Sequence, residues 1–186
     1  MGFKYAVLGA GRQGTACAYD MIKMGGADSV LLADQSLAVA KAAAQRVNGL
    51  LATDRAQACQ LDVRDHSALV ATLSGIDAFL SAVPYYYNLA ITQGAIEAGA
   101  SMCDLGGNTD VVRQQLELDE TARAAGIRVV PDCGQVPGMG TSLMVYAMSL
   151  LDQTDEVFMW DGGLPQNPRP PFHYLATFRR AGLTNE

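Results

Sequence analysis

The chain has 186 residues, 49% of them hydrophobic and 17% charged, enough apolar mass for one well-buried domain and part of a second and too little charge for a disordered segment. Its net charge is −6, with three lysines (Lys4, Lys23, Lys41) and arginines scattered rather than massed, which argues against a nucleic-acid or anionic-membrane binder. The apolar runs are too short and too interrupted to span a bilayer or act as a secretory signal, so a cytoplasmic protein is expected.

Short apolar runs alternate with longer helical patterns from residue 3 to about residue 151. The first strand is expected over Tyr5–Leu8 and ends in Gly9. A helix follows over Gln13–Met24, stopped by Gly25 and Gly26, which suit a left-handed cap. The second strand, Val30–Ala33, leads to Asp34, and Ser36 can cap a helix over Leu37–Arg46. A weaker third strand, Ala58–Leu61, precedes Asp65 as a cap and a helix ending at Gly75. The fourth strand, Ala78–Val83, is broken by Pro84. Asn88 is expected to cap a helix to Ala98, followed by a fifth strand over Ser101–Leu105. One helix is expected from Thr109 or Asp110 to Ala125, then a sixth strand over Ile127–Val130. A further helix over Thr141–Leu151 leads to a candidate strand, Glu156–Trp160, and to the proline-rich elbow "LPQNPRPP" at 164–171.

This βα rhythm predicts an α/β fold, a doubly wound parallel sheet of the Rossmann type. Residues 1–135 form that domain. Residues 136–186 supply a connecting helix and the start of a second, α+β substrate or dimerisation domain, incomplete within this chain.

The stretch "YAVLGAGRQGTA" places Gly9, Gly11 and Gly14 in a G-x-G-x-x-G spacing directly after a strand and before a helix. In that context Gly9 permits the tight turn, Gly11 the approach of a pyrophosphate and Gly14 close packing of helix on strand. The helix N-terminus, with Arg12 and Gln13, offers N–H groups and partial positive charge to phosphates. Asp34 lies at the end of the second strand, twenty residues after Gly14. A carboxylate there accepts from the adenosine ribose hydroxyls and repels a 2′-phosphate, so NAD is favoured over NADP. Arg12 is the counterweight, since its guanidinium could meet the pyrophosphate or a 2′-phosphate. Asp62, past the third strand, is a candidate for the adenine side or a solvated loop acid.

Two rival readings fit less well. A methyltransferase loop has an acid before its glycines, whereas Val7 and Leu8 precede Gly9. The short-chain reductase pair Tyr-x-x-x-Lys is matched only by Tyr19 and Lys23, on the first helix.

Ligands of open α/β sheets lie beyond the carboxyl ends of the strands. Three segments qualify there: "AVPYYYN", "CDLGGN" and "PDCGQVPGMG". Val83 and Pro84 are expected to flank the cofactor. Asp104 and Asp132 are candidates for attracting a cationic amine, or else cap and loop acids. Of Tyr85, Tyr86 and Tyr87 at least one should be core, with Tyr85 a candidate to touch substrate or cofactor. His66 is read as a surface residue, and His173 as a possible proton acceptor. Cys17, Cys59, Cys103 and Cys133 are separated by 42, 44 and 30 residues. They form no CxxC pair and no metal-ligand spacing, so no metal is expected and the thiols are read as reduced and mostly buried.

The segments "VLGAGRQG", "PYYYNLAITQGAIEAG", "CDLGGN", "VVPDCGQVPGMG" and "GGLPQNPRPPFHYLATF" together resemble the saccharopine dehydrogenase-like family, and its lysine 6-dehydrogenase branch most closely. The resemblance implies an NAD(P)-dependent oxidoreductase that removes hydride from an amine-bearing carbon of an amino acid, the imine then being hydrolysed. By analogy Asp104 and Asp132 orient the substrate. The resemblance also implies a chain about twice this length, with the elbow as a connection inside the substrate domain, next to a strand at Tyr174–Phe178.

Two functions are weighed against each other. One is an amino-acid dehydrogenase, whole or as its N-terminal part. The other is a non-catalytic NAD-binding module or subunit. If the chain is the complete product, an exposed strand edge near Glu156–Trp160 and Tyr174–Phe178 would favour a homodimer.

Overall fold

The computed structural model describes residues 2–162, 166, 167 and 170. The chain divides into two compact units, Met1–Asp132 and Cys133–Glu186.

The first unit holds six strands: β1 (Phe3–Leu8), β2 (Ala27–Asp34), β3 (Ala56–Gln60), β4 (Ala78–Ser81), β5 (Ser101–Asp104) and β6 (Val129–Val130). All pair in parallel, in the order β3-β2-β1-β4-β5-β6. This is the doubly wound order of a Rossmann sheet, in which the direction of winding reverses between β1 and β4. Helices α1 (Arg12–Lys23), α2 (Leu37–Leu51), α3 (His66–Leu73), α4 (Asn88–Ala98), α5 (Thr109–Leu116) and α6 (Asp119–Ala124) connect the strands.

Alternation along the strands builds two cores. Ala6, Leu8, Phe79 and Met102 face one side of the sheet and pack with Leu69, Leu73, Ile91 and Ala95 of α3 and α4. Val7, Val30, Leu32 and Leu80 face the other side and meet Ala18, Ile22, Ala43 and Val47 of α1 and α2. Side chains two residues apart share a face, so each buried strand feeds both cores. Burying a side chain such as Phe79, 2% exposed, is worth about 1.5–3 kcal/mol.

Several elements depart from the sequence expectations. Helix α2 continues past Arg46 to Leu51 because Ala52 takes the left-handed cap, φ 50°. Asn88 is not a cap. A 3₁₀ turn over Tyr85–Tyr87 runs straight into α4, and Asn88 is its first residue, buried. The single helix expected up to Ala125 is two. Asn108 caps α5 by accepting from the N–H groups of Asp110 and Val111. The chain then breaks at Glu117 and Leu118, and α6 begins with Asp119 and Glu120, acids that favour a fresh N-terminus.

In the second unit α7 spans Met139–Met148, preceded by a turn in which the Met139 N–H reaches the Gly134 carbonyl at 3.0 Å. Leu143, Val145 and Tyr146 on this helix are exposed. The strand expected at Glu156–Trp160 does not form: those residues are irregular and pair with no strand among the described residues. The part of the expected strand edge that lay at Glu156–Trp160 is therefore absent. Of the elbow, residues 166, 167 and 170 are described. His173 and Tyr174–Phe178 lie outside the described residues. Among those described, no helix is long and apolar enough to cross a membrane.

Candidate functional site

The reversal point of the sheet sits between the glycine loop after β1 and the chain leaving β4. Gly9 donates to the Ala33 carbonyl at 2.7 Å, and the Ala82 N–H donates to Leu8 at 2.8 Å, so both neighbouring strands pin the loop. Gly9 has φ 95°, and a Cβ there would lie 2.8 Å from the Ala82 carbonyl oxygen and 3.2 Å from Val83 Cγ1. A Cβ on Gly14, in α1, would run into the Gly9 carbonyl. Both glycines are required by the protein's own packing.

Gly11 is different. A Cβ there would meet nothing within 4 Å, and its φ of −71° suits any residue. The fold does not demand a glycine at this position; a ligand drawn against the backbone would. The helix that follows points the same way. Helix α1 has no side-chain cap and no acid in its first turn, as is also true of α4 and α7, whereas α2, α3 and α5 are capped by Ser36, Asp65 and Asn108. Its leading N–H groups and positive dipole end are left for an anion. Arg12 and Gln13 are exposed at this end. Arg12 also lines a groove of about 880 Å³ between α1 and α2, together with Arg46, Tyr19 and Val39.

Asp34 ends β2 beside the loop. One carboxylate oxygen accepts from the Ala10 N–H at 3.0 Å and the other from the Ser36 N–H at 2.9 Å. Each oxygen keeps a second lone pair, so the side chain is oriented and still able to accept a hydroxyl. Asp62 is turned to Arg64, whose guanidinium donates to it at 2.5 Å. This hydrogen bond, with a second from the Arg64 N–H, lowers the Asp62 carboxyl to about 2. Its charge is directed at a neighbour, at an exposed position.

Tyr85, Asp104 and Asp132 are brought together on the β4, β5 and β6 loops. The Tyr85 ring lies against Gly107, 3.2 Å from where a Cβ would stand. The Asp132 carboxylate lies against Gly106, which has no room for a Cβ. Asp132 itself is half-buried and takes φ 60°, a left-handed conformation that costs a non-glycine residue about 1–3 kcal/mol. Asp104 has no exposed surface. Its oxygens accept from the Gly106 N–H at 2.8 Å, the Asp132 N–H at 3.1 Å and Gln115 Nε2 at 2.8 Å. Asp104 is thus enclosed and bonded through both oxygens to the protein's own groups, with no surface turned to a substrate. Tyr86 is exposed, and Tyr87 packs against the core.

Sequence reasoning missed the polar cluster behind these loops. Ser81 donates to Asn88 Oδ1 at 2.8 Å, and Gln115 Nε2 bonds both Thr92 Oγ1, at 3.0 Å, and Asp104. All five side chains are buried. The signal was Asn88 and Thr92 one turn apart on the face of α4 that also carries Ile91 and Ala95.

Tyr19 and Lys23 hydrogen-bond at 3.2 Å, in the half of α1 remote from the glycine loop. His66 is exposed and pairs with Glu97 at 2.9 Å. The four cysteines are half-buried rather than buried and form no disulfide. Burial raises the Cys17 and Cys59 thiols, with Asp20 adding to the effect at Cys17.

Residues 5–130 match the family described as the saccharopine dehydrogenase NADP binding domain. The chain belongs to that family. Among curated proteins it is 26% identical over 147 residues to the saccharopine dehydrogenase [NADP(+), L-glutamate-forming] of Schizosaccharomyces pombe, covering 74% of this chain and 30% of that protein. Among solved structures, the apo saccharopine dehydrogenase (L-Glu forming) of Saccharomyces cerevisiae superimposes with TM-score 0.62 at 26% identity, covering 80% of this chain and 30% of that one. Quinate dehydrogenase from Corynebacterium glutamicum, in complex with NAD, shares the fold at TM-score 0.51 and 19% identity, covering 70% of this chain and 44% of that one. The chain therefore spans about a third of the length of the saccharopine dehydrogenases it matches. The family's nucleotide-binding fold is the described first unit, and the glycine loop, Val83, Pro84 and the Tyr85, Asp104 and Asp132 loops all fall at its strand ends.

Proposed function

We propose that this chain is the NAD-binding part of an oxidoreductase that acts on the carbon–nitrogen bond of an amino acid, in the manner of a lysine 6-dehydrogenase. The observation that carries the reading is Gly11: a glycine with open space above it, at the uncapped start of α1, is explained by a pyrophosphate lying against the backbone. Gly9 and Gly14 shape the loop, Arg12 and Gln13 stand at its rim, and Val83 and Pro84 flank it across the reversal point.

Asp34 supports NAD over NADP, although the family and its Schizosaccharomyces relative carry NADP in their names. A carboxylate at the end of β2, fixed by two N–H groups, repels a 2′-phosphate and accepts from ribose hydroxyls. When bound, the dinucleotide supplies the hydride acceptor. Oxidation takes a hydride from the amine-bearing carbon and a proton from its nitrogen, leaving an imine that water converts to a carbonyl compound and an amine. Tyr85 and the half-buried Asp132 are the groups of this unit suited to meet a cationic amino acid.

The test is NADH or NADPH formation by this chain, and by a version extended through any downstream coding sequence, with L-lysine, saccharopine and other amino acids, each with NAD and NADP. Lysine-dependent reduction of NAD in preference to NADP is expected. Turnover with saccharopine and NADP alone would replace both the substrate and the cofactor assignments.

A further inference from the structure

Asp104 was expected to orient substrate, yet its carboxylate is the most enclosed ionisable group at the strand ends, with no exposed surface. What it touches is backbone and one amide. One oxygen, Oδ1, accepts from both the Gly106 N–H and the Asp132 N–H, at 2.8 and 3.1 Å, and the other accepts from Gln115 Nε2 at 2.8 Å. The two N–H groups belong to different loops, 106–107 after β5 and 131–132 after β6, and both loops are in unusual conformations. Gly106, Gly107 and Asp132 have φ of 70°, 122° and 60°. The Gly106–Gly107 backbone carries the Tyr85 ring on one residue and the Asp132 carboxylate on the other. A single acceptor atom therefore joins the segments that pack against both half-buried candidates for the reacting end of the cofactor, Tyr85 and Asp132.

We propose that Asp104 is a positioning residue: Oδ1 locks the 106–107 and 132 loops together, so that Tyr85 and Asp132 form one floor under the nicotinamide end of the dinucleotide. Gln115, held in turn by Thr92, fixes the rotamer from behind. This inference rests on the dinucleotide reading above and adds to it a division of labour, the adenosine half bound by the glycine loop and Asp34, the nicotinamide half by loops that Asp104 ties.

The role needs an acceptor atom at Oδ1 and does not need a charge, and that separates it from a substrate-binding carboxylate. Asp104→Asn keeps Oδ1. Its new amide would face Gln115, which can accept it only by turning its own amide over; that gives up the Nε2 donation to Thr92 and moves Nε2 to the side where Oε1 has no partner, a cost in stability that leaves the Oδ1 contacts in place. Asp104→Leu keeps the branch at Cγ but is bulkier and has no acceptor, leaving two N–H groups unsatisfied. The experiment is titration of the wild-type chain and these variants with NADH and with ADP-ribose, which lacks the nicotinamide. Expected are Asp104→Asn within about twofold of wild type for both ligands, and Asp104→Leu weakened about tenfold or more for NADH but within about threefold for ADP-ribose. An Asp104→Asn as weak as Asp104→Leu would assign the role to charge. Equal losses for both ligands in Asp104→Leu, or no loss for NADH, would also overturn the proposal. If Asp104→Leu does not fold, Gln115→Glu decides, since it sets a carboxylate against Asp104. It should weaken NADH binding, and adding Asp104→Asn should restore it; failure of the double variant to recover overturns the inference. Wild-type chain that binds neither ligand refutes the dinucleotide reading itself, a different failure.

Discussion

Replacing each glycine of the loop by alanine separates what the fold requires from what a ligand requires. At Gly9, φ is 95° and the methyl would stand 2.8 Å from the Ala82 carbonyl oxygen. Left-handed strain costs about 1–3 kcal/mol, and overlap with rigid backbone adds roughly as much again. Spread over a unit of this size, that lowers Tm by about 10 °C or more. Gly14→Ala drives a methyl into the Gly9 carbonyl and within 3.0 Å of Val7 Cγ1, with a similar penalty. Gly11→Ala meets no atom within 4 Å. Alanine's poorer N-cap preference and its smaller unfolded-state entropy oppose one another, leaving a net effect within about 1 kcal/mol. Its methyl does, however, occupy the approach to the α1 N–H groups. Loss of one charge-assisted hydrogen bond, about 1.5–3 kcal/mol, weakens dinucleotide binding about tenfold to a hundredfold. Thermal melting and NADH titration of the three variants give the answer. A Gly11→Ala protein that binds NADH like wild type, or melts as early as Gly14→Ala, would refute the assignment of this loop to phosphate binding.

Other outcomes follow from single residues. Asp34→Ser should bring NADP affinity up towards that of NAD, measured by paired titrations; a wild-type preference for NADP would remove Asp34 as the discriminator. Asn108→Ala removes the acceptor for the Asp110 and Val111 N–H groups and should cost about 1 kcal/mol, read from urea unfolding. Asp62 titrates at about 2 in the folded chain, below the roughly 3.9 of an unfolded aspartate. Its pairing with Arg64 therefore favours the folded state above about pH 4 and loses that contribution as pH falls through 2. The carboxyl resonance followed by NMR should show that low midpoint, and Arg64→Ala should raise it to the ordinary range.

The Rossmann sheet was legible because each of its signals acts locally. Gly9, Gly14, Gly26 and Gly99 stand where a Cβ or a negative φ would not fit, and the period-two alternation of β1 sorts side chains between two cores whatever surrounds them. Asp34 was legible by position alone, since parallel pairing with β1 carries the end of β2 to the loop. The loops after β4, β5 and β6 were less legible because their arrangement depends on long-range partners. Asp104 was read as a presented acid, and only the arrival of Asp132 from 28 residues away shows it enclosed. Asn88 resembles a cap in sequence, but Ser81 on β4 draws it inward. Glu156–Trp160 has strand-forming residues and, among the described residues, no neighbouring strand to pair with, and β-propensity without a partner does not make a sheet.

The most direct test of the account is calorimetric titration of the purified chain with NAD, NADH, NADP and NADPH. One site per chain, tighter for NADH than for NADPH and weakened by Gly11→Ala at unchanged Tm, is the predicted result. Absence of heat with all four nucleotides would contradict it.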